Sequence, residues 1–130
     1  MDSMLLRFVP RVLACLLVVL LTGCTSSEAG EATPSWAEGM ATVQESRLPA
    51  QARRTLALID AGGPFPYEKD GSVFGNFERR LPAHTRGYYH EYTVPTPGSR
   101  DRGARRIVTG QDDEIYYTDD HYDSFRAVLR

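Results

Sequence analysis

Four side chains in the C-terminal half of the chain have the chemistry needed to cleave a phosphodiester bond. Glu91 lies within residues 87–94, a stretch of aromatic and β-branched residues that is typical of a β-strand. Arg102 and Arg106 follow it along the chain, and His121 lies near the C-terminus. A carboxylate, two guanidinium groups and an imidazole supply a base, an acid and two cations, the minimum set for phosphodiester cleavage without a metal.

Each group has a definite role in cleaving RNA. Glu91 is the candidate base for the ribose 2′-hydroxyl. His121 is the candidate acid for the departing 5′-oxygen, because an imidazole with a pKa of about 6.5 can donate a proton near neutral pH. Arg102 and Arg106 would hold the non-bridging phosphate oxygens, which a planar guanidinium binds in pairs. Attack by the 2′-oxygen would give a 2′,3′-cyclic phosphate, which is then hydrolysed with acid and base exchanging roles.

One helix and a small sheet must position these groups. Residues 49–61 predict a helix, with proline in the first turn, Ala52, Leu56 and Ile59 on one stripe, and a Gly-Gly-Pro sequence at the end. Four short strands are expected around residues 73–74, 87–94, 105–109 and 115–118. The predicted fold class is therefore α+β, one N-terminal helix packed on a small antiparallel sheet.

Alternation along the strands assigns their side chains to two faces. His90, Tyr92, Val94 and Ile107 are expected to face the helix, with His90 as a hydrogen-bonded structural residue. The opposite face is expected to be open, and it carries Tyr89, Glu91, Arg106 and Val108.

The chain divides into three predicted regions. Residues 1–23 indicate a signal peptide, because their unbroken apolar run of ten residues is about half the ~20 that a spanning helix needs. The sequence Leu-Thr-Gly-Cys that follows indicates a bacterial lipoprotein signal with Cys24 as the acylated residue; an ordinary secretory signal is the alternative. Residues 24–47 are small, polar and acidic, which predicts a flexible tether. Residues 48–130 form the predicted folded domain.

Overall charge does not identify a partner. Residues 48–130 carry twelve basic and twelve acidic residues, which balance. A local excess of arginine around residues 100–106 gives an electropositive patch instead. No metal or other cofactor is expected, because the acidic residues at 112–114 and 119–120 lack the spacing of a calcium loop and indicate a solvated turn.

The order of these residues and the motifs around them resemble the secreted bacterial guanyl-specific ribonucleases, the barnase-like microbial ribonucleases. The matching segments begin near Leu48 and read Gly-Pro-Phe-Pro-Tyr, Gly-Tyr-Tyr-His-Glu-Tyr-Thr-Val, Arg-Gly-Ala-Arg-Arg-Ile and Tyr-Tyr-Thr-Asp-Asp-His-Tyr. The resemblance implies the microbial ribonuclease fold, cleavage of single-stranded RNA after guanosine, and the same four roles for Glu91, His121, Arg102 and Arg106. Several relatives carry a disulfide, whereas residues 48–130 contain no cysteine.

Recognition of guanine is expected from the loop at residues 74–78. The Glu78 carboxylate can accept from the N1–H and the 2-amino group of guanine, and backbone amides near Asn76 can bind O6. Phe74 or Tyr122 would stack on the base. Relatives generally carry arginine where this chain has Phe77, so an accessory cation is missing there, and docking of a barstar-like protein inhibitor would be weaker.

These features predict a monomeric, extracellular or membrane-anchored endoribonuclease whose lipid is carried by Cys24. Two alternatives remain open. A lipoprotein could use the same face to bind RNA or another phosphate ligand without cleaving it, although binding alone would need neither Glu91 nor His121. A toxin warhead delivered to competing cells would have the same chemistry in another biological role.

Overall fold

The computed structural model describes residues 32–130. Within them, Pro34–Arg130 form one compact unit. Its elements in chain order are β1 (Thr42–Gln44), α1 (Ala50–Ala61), β2 (Ser72–Phe74), β3 (Tyr89–Thr93), β4 (Arg106–Thr109), β5 (Ile115–Thr118) and β6 (Arg126–Leu129), with short 3₁₀ turns at Ser35–Ala37 and Glu45–Arg47.

The predicted helix is present. Pro49 stands at its N-cap, and Gly62 ends it in the left-handed conformation, with φ 80°. The Gly62 and Gly63 amides bind the carbonyls of Ile59 and Leu58, which satisfies the last turn. Ala52 and Leu56 are fully buried against the sheet and form the first core with six other buried residues, Leu48, Val94, Ile107, Ile115, Tyr117 and Val128.

The sheet has six strands in the order β1-β6-β5-β4-β3-β2. All neighbours are antiparallel except β1 and β6, which are parallel. The α+β fold class is confirmed, and the four predicted strands are found. Two further strands, β1 and β6, were not predicted, so the sheet is mixed and its first strand precedes the helix.

The compact unit begins at Pro34, so the prediction of a flexible tether over residues 24–47 is wrong for residues 34–47. Strand β1 pairs with residues 127–129, and the Ala127 amide binds the Ala41 carbonyl at 2.8 Å. Ala37 is fully buried, and the Trp36 ring lies 5.4 Å from that of Tyr116. A few apolar residues in a polar stretch are enough to fix it, because the sheet supplies their partners. The predicted signal peptide and Cys24 lie outside the described residues.

The face of the sheet opposite the helix is covered, whereas the sequence predicted an open one. Tyr89 and Val108 are at most 3% exposed, and Arg106 is 2% exposed. Tyr89 and Val108 belong to a second core that also contains the buried residues Ala37, Leu81, Tyr116, Phe125 and Ala127. Only part of this face therefore remains accessible, and the Glu91 side chain lies there with 16% of its surface exposed.

Two further polar side chains have structural partners. His90 is hydrogen-bonded as predicted, with Nδ1 2.9 Å from the Gly71 carbonyl oxygen. Glu114 is only 7% exposed, which corrects the prediction of a fully solvated acidic turn at 112–114. Its carboxylate accepts hydrogen bonds from the hydroxyls of Tyr88 at 2.5 Å and Tyr116 at 3.0 Å. Burial of this carboxylate is possible because both oxygens are hydrogen-bonded.

Within residues 32–130, α1 is too short and too polar to cross a membrane, and so is every other helical segment.

Candidate active site

Glu91 lies at the centre of β3, between Ser72 of β2 and Val108 of β4. Arg102, in the loop between β3 and β4, points back to this strand: its Nη2 lies 3.3 Å from Glu91 Oε1. The Thr93 hydroxyl, two residues along the same face, accepts from Arg102 Nε at 3.1 Å and from Nη2 at 2.8 Å. The strand therefore holds the carboxylate and the guanidinium side by side.

Arg106 is a buried cation at the start of β4. Its Nη1 donates to the carbonyls of Gly103 at 3.0 Å and Arg105 at 2.8 Å. Its buried Nε has no hydrogen-bond partner among residues 32–130. The guanidinium carbon lies 5.9 Å from the centre of the Tyr122 ring. The guanidinium is therefore a buried cation fixed by the backbone and placed next to Tyr122.

Tyr122 is close to two charged side chains, those of Glu91 and Arg106. Burial, followed by the negative charge of Glu91, raises the pKa of Tyr122 to about 12, and Arg106 opposes this shift. The phenol is therefore neutral at physiological pH and can donate a hydrogen bond within the site.

His121 is exposed at the tip of the loop between β5 and β6. His121 and Tyr122 both have left-handed backbones, with φ 55° and 72°. The His121 amide binds the Ala104 carbonyl at 3.0 Å, which ties this loop to the arginine-rich one. The Asp120 carboxylate binds the Ser124 amide and hydroxyl and the Thr118 hydroxyl. The bonds from Ser124, above all from its hydroxyl, lower the pKa of Asp120 to about 2.

The loop at residues 74–78, which we call the recognition loop, is organised by Asn76. The Asn76 side chain donates to the Leu81 carbonyl at 2.9 Å and accepts from the Leu81 amide at 3.1 Å. Its own φ is 52°. The side chain is thus engaged within the loop, and the backbone amides around it are left as the groups available to a ligand.

Two other side chains of the recognition loop are accessible to solvent. Glu78 has 72% of its side chain exposed and lies 3.7 Å from Arg80 Nε. Phe77 is 84% exposed. Phe74, in contrast, is half-buried and stacks on Tyr122, with 4.9 Å between ring centres and 27° between planes. The two residues expected to stack on a base therefore stack on each other, as an aromatic pair in one wall of the site.

One cleft of about 320 Å³ brings most of the predicted residues together. Its wall includes seven of them: Phe74, Asn76, Phe77, Glu78, Glu91, His121 and Tyr122. Arg102 and Arg106 do not line the cleft itself. They lie behind it, in contact with Glu91 and Tyr122 respectively.

Sequence reasoning missed several residues that build the site. Thr93 orients Arg102, and Thr118 with Asp120 shapes the His121 turn. Arg80 also lines the cleft and joins Glu78 to Asp123, at 3.3 Å from the latter. Thr93 could have been found from the alternation of β3, which places it on the same face as Glu91. The contacts of Asp120 and Arg80 depend on loop conformations, and loops have no alternating sequence pattern that would predict them.

Within the described part of the chain, no three His, Cys, Asp or Glu side chains are grouped closely enough to form a metal site.

Comparison with known proteins identifies the family. A family model described as ribonuclease matches residues 31–129. Guanyl-specific ribonuclease Sa3 of Kitasatospora aureofaciens is 69% identical over 84 residues, which are 64% of this chain and 60% of that protein. Guanyl-specific ribonuclease Sa of the same organism is 57% identical over 88 residues, covering 67% of this chain and 92% of that protein. Guanyl-specific ribonuclease St of Saccharopolyspora erythraea is 53% identical over 91 residues, 70% and 90% of the two chains.

Solved structures agree with these relatives. The crystal structure of ribonuclease Sa2 with guanosine-2′-cyclophosphate superposes with a TM-score of 0.67 at 53% identity, covering 69% of this chain and 96% of that one. A structure of ribonuclease Sa2 in complex with mononucleotides gives a TM-score of 0.69 at 54% identity, with 70% and 95% covered. Fold, family model and sequence identity agree, and the chain belongs to the microbial guanyl-specific ribonuclease family.

Proposed function

We propose that this protein is an endoribonuclease that cleaves single-stranded RNA on the 3′ side of guanosine. Cleavage proceeds by transesterification to a 2′,3′-cyclic phosphate, which is then hydrolysed. The observation that carries the proposal is the single cleft shared by Glu91, His121 and the recognition loop. Family membership supports it, since the matching relatives are named guanyl-specific ribonucleases.

In the first step, Glu91 accepts the proton of the ribose 2′-hydroxyl. The 2′-oxygen attacks phosphorus, the bond from phosphorus to the 5′-oxygen breaks, and His121 donates a proton to that oxygen. Glu91 and His121 line the same cleft. The mechanism requires this, because the proton acceptor and the proton donor must both reach the phosphate. His121 is exposed, so it can exchange protons with solvent between turnovers.

In the second step, water takes the place of the departed nucleotide. His121, now neutral, accepts a proton from that water as its oxygen attacks phosphorus. Glu91, now protonated, returns a proton to the 2′-oxygen as the cyclic bond breaks. Both residues regain their starting states, and the product is a guanosine 3′-phosphate end.

The two arginines stabilise the negative charge that builds on the phosphate oxygens. Arg102 is held beside Glu91 by Thr93, at the place where the phosphate must meet the base. Arg106 is preorganised by two backbone carbonyls, and the Nη1 and Nη2 side of its guanidinium carries positive charge towards the phosphate. Fixed cations in a partly buried site stabilise a transition state without having to reorganise.

Guanine is selected by the recognition loop. The Glu78 carboxylate accepts from N1–H and the 2-amino group, a pair of donors that no other base presents. Backbone amides near Asn76 bind O6, because the Asn76 side chain is engaged by Leu81. The base lies against the aromatic pair formed by Phe74 and Tyr122.

The protein acts outside the cytoplasm, as a monomer. Residues 1–23 serve as a lipoprotein signal, and Cys24 carries the lipid that attaches the enzyme to the outer face of the membrane. A barstar-like inhibitor would meet Phe77 where relatives generally have arginine, and it would bind less tightly. Labelling cells with a fatty-acid analogue tests the anchor: wild type should be marked and Cys24→Ala should not, and equal labelling of the two would contradict it.

A panel of dinucleoside phosphates tests the function as a whole. Full-length protein, with EDTA present, should cleave guanylyl-3′,5′-uridine (GpU) and release a cyclic phosphate, and it should cleave the adenosine, cytidine and uridine analogues far more slowly. Cleavage of all four at similar rates, or binding of the guanosine compound without cleavage, would contradict the proposal. The second result would instead favour a phosphate-binding lipoprotein.

A further inference from the structure

A second cleft of about 390 Å³ shares the recognition loop with the active site. Residues 74–77 line both clefts. The remaining wall of this second cleft is formed by Arg79 and by the loop before β3, chiefly His84, Thr85 and Arg86. Neither Glu91 nor His121 lines it. The proposed catalytic reaction thus makes no use of this cleft.

Phe77 presents an aromatic ring at the boundary between the clefts. It is 84% exposed, the most exposed large hydrophobic residue of the described chain. The ring lies on the backbone of Gly75, where an added Cβ would come within 2.5 Å of two ring carbons. The guanidinium carbon of Arg86 lies 5.9 Å from the ring centre. Gly75 lies against the ring and the Arg86 guanidinium lies over it, yet the residue is 84% exposed and so presents an aromatic surface to solvent.

The charge of this cleft is positive. Within residues 32–130, neither Arg79 nor Arg86 forms a salt bridge, whereas the neighbouring Arg80 is paired with Glu78 and Asp123. An exposed ring combined with free guanidinium groups is the combination that binds single-stranded nucleic acid, by stacking on a base and by attraction to phosphates. A protein partner would find little apolar surface, since Phe77 and Val73 are the only exposed large hydrophobic residues in the described part of the chain.

We propose that the second cleft binds the nucleotide on the 5′ side of the cleaved guanosine. This inference rests on the proposed function. The nucleotide on the 3′ side departs through its 5′-oxygen, which must be next to His121, and His121 does not line the second cleft. The strand entering from the 5′ side is the part of the substrate left to occupy it. Its base stacks on Phe77, and the phosphate that joins it to guanosine meets Arg86.

Rates on short oligonucleotides test this subsite. Full-length protein is assayed for kcat/KM on GpU, on UpGpU, which adds a 5′ nucleotide, and on GpUpU, which adds a 3′ nucleotide. Because stacking and one phosphate contact are involved, we expect UpGpU to be cleaved about tenfold faster than GpU. Arg86→Gln and Phe77→Ala should each bring this ratio towards one, while the gain from the 3′ nucleotide stays as in wild type.

Arg54→Gln is the matched control, because Arg54 is an exposed arginine of α1 and its replacement removes the same charge elsewhere. It should leave the ratio as in wild type. If wild type cleaves GpU but gains nothing from the 5′ nucleotide, the subsite is refuted and the proposed function stands. The subsite is also refuted if Arg86→Gln keeps the wild-type ratio of the rates on UpGpU and GpU. It is refuted as well if Arg86→Gln lowers only the rate on GpUpU. Failure to cleave GpU at all would refute the proposed function itself.

Discussion

Arg102 and Glu91 form an ion pair on one face of the sheet, with 3.3 Å between Nη2 and Oε1. A third residue also holds this pair in place: the buried Thr93 hydroxyl accepts two hydrogen bonds from the same guanidinium. Thr93 thereby fixes the cation next to the proposed base before any substrate is present. Preorganisation of this kind is a large part of electrostatic catalysis.

Thr93→Val should therefore lower activity without unfolding the protein. Valine has nearly the same shape, but it cannot accept from Arg102, so the guanidinium loses its fixed orientation. We expect kcat/KM on GpU to fall about tenfold, the equivalent of one lost charged hydrogen bond. Thr93→Ser keeps the hydroxyl and should retain most of the activity. Equal rates for Thr93→Val and wild type would show that Thr93 does not position Arg102.

Glu78→Ala tests whether the Glu78 carboxylate recognises guanine. Removing the carboxylate leaves the guanine donors unpaired while the phosphate machinery stays intact, so the loss should be about 2–4 kcal/mol of transition-state binding for guanosine substrates. The slow cleavage of adenosine substrates should change little. Since Glu78 is largely exposed, the fold should be unaffected. A uniform loss over all four bases would mean that Glu78 supports the loop and does not select the base.

Glu114→Gln tests the buried carboxylate on the covered face. The hydrogen bond to Glu114, followed by burial, raises the pKa of Tyr88 to about 12, so an uncharged amide in place of the carboxylate should let that pKa fall towards its ordinary value of about 10. Absorbance titration of the tyrosines, with Tyr88→Phe to identify the transition, would measure this. The pKa of Tyr122, also about 12, arises from burial and Glu91, so it should not move.

The same shift predicts how stability depends on pH. A tyrosine whose pKa is higher in the folded than in the unfolded state contributes stability that is complete below about pH 10 and is lost as the pH rises towards 12. Urea unfolding at several pH values should show a shallower loss in Glu114→Gln than in wild type across this range. Parallel curves for the two proteins would contradict the role given to Glu114.

The segment before the helix should be needed for stability. A protein of residues 34–130 keeps β1 and the buried Ala37, whereas one of residues 48–130 exposes the edge of β6 and uncovers part of the second core. We expect the shorter protein to lose about 3 kcal/mol or more of unfolding free energy, because several apolar contacts disappear together. Denaturant midpoints compare the two directly. Equal denaturant midpoints for the two proteins would show that residues 34–47 contribute nothing to the stability of the domain.

The sequence predicted the helix and strands β2 to β5 because each has a clear local signal. The helix has an apolar stripe and terminal Pro and Gly residues, and β3 and β5 are rich in aromatic and β-branched residues. Strands β1 and β6 have three and four residues, and their pairing joins opposite ends of the compact unit. A parallel contact between such distant segments leaves no periodic pattern in the sequence.

The site residues could be predicted from their chemistry and from the family resemblance. The residues that hold them in place could not. Glu91, His121 and the recognition loop were predicted to act together, and they line one cleft. The burial of Arg106 was missed because its partners are loop groups, the carbonyls of Gly103 and Arg105 and the ring of Tyr122, which no strand pattern places next to it. Glu114 was interpreted as a solvated residue because the turn around it is acidic and one of its two partners, Tyr88, is 26 residues away in sequence.

In the proposed mechanism Glu91 is the base and His121 is the acid. With GpU, kcat/KM should show a bell-shaped pH dependence, with the acidic limb from Glu91 and the alkaline limb from His121. His121→Gln should flatten the alkaline limb and cost on the order of 10²–10⁴ in rate. Glu91→Gln should act on the acidic limb and cost less, because the arginines still stabilise the phosphorane.

The most direct test replaces the leaving nucleotide with nitrophenolate, which departs without a proton. Guanosine 3′-(4-nitrophenyl phosphate) should restore His121→Gln to nearly the wild-type rate and leave Glu91→Gln as impaired as before, since only the acid has become dispensable. Measured side by side with GpU, the two variants must therefore diverge. Rescue of both variants, or of neither, would contradict the assignment of acid and base even if the protein cleaves RNA after guanosine.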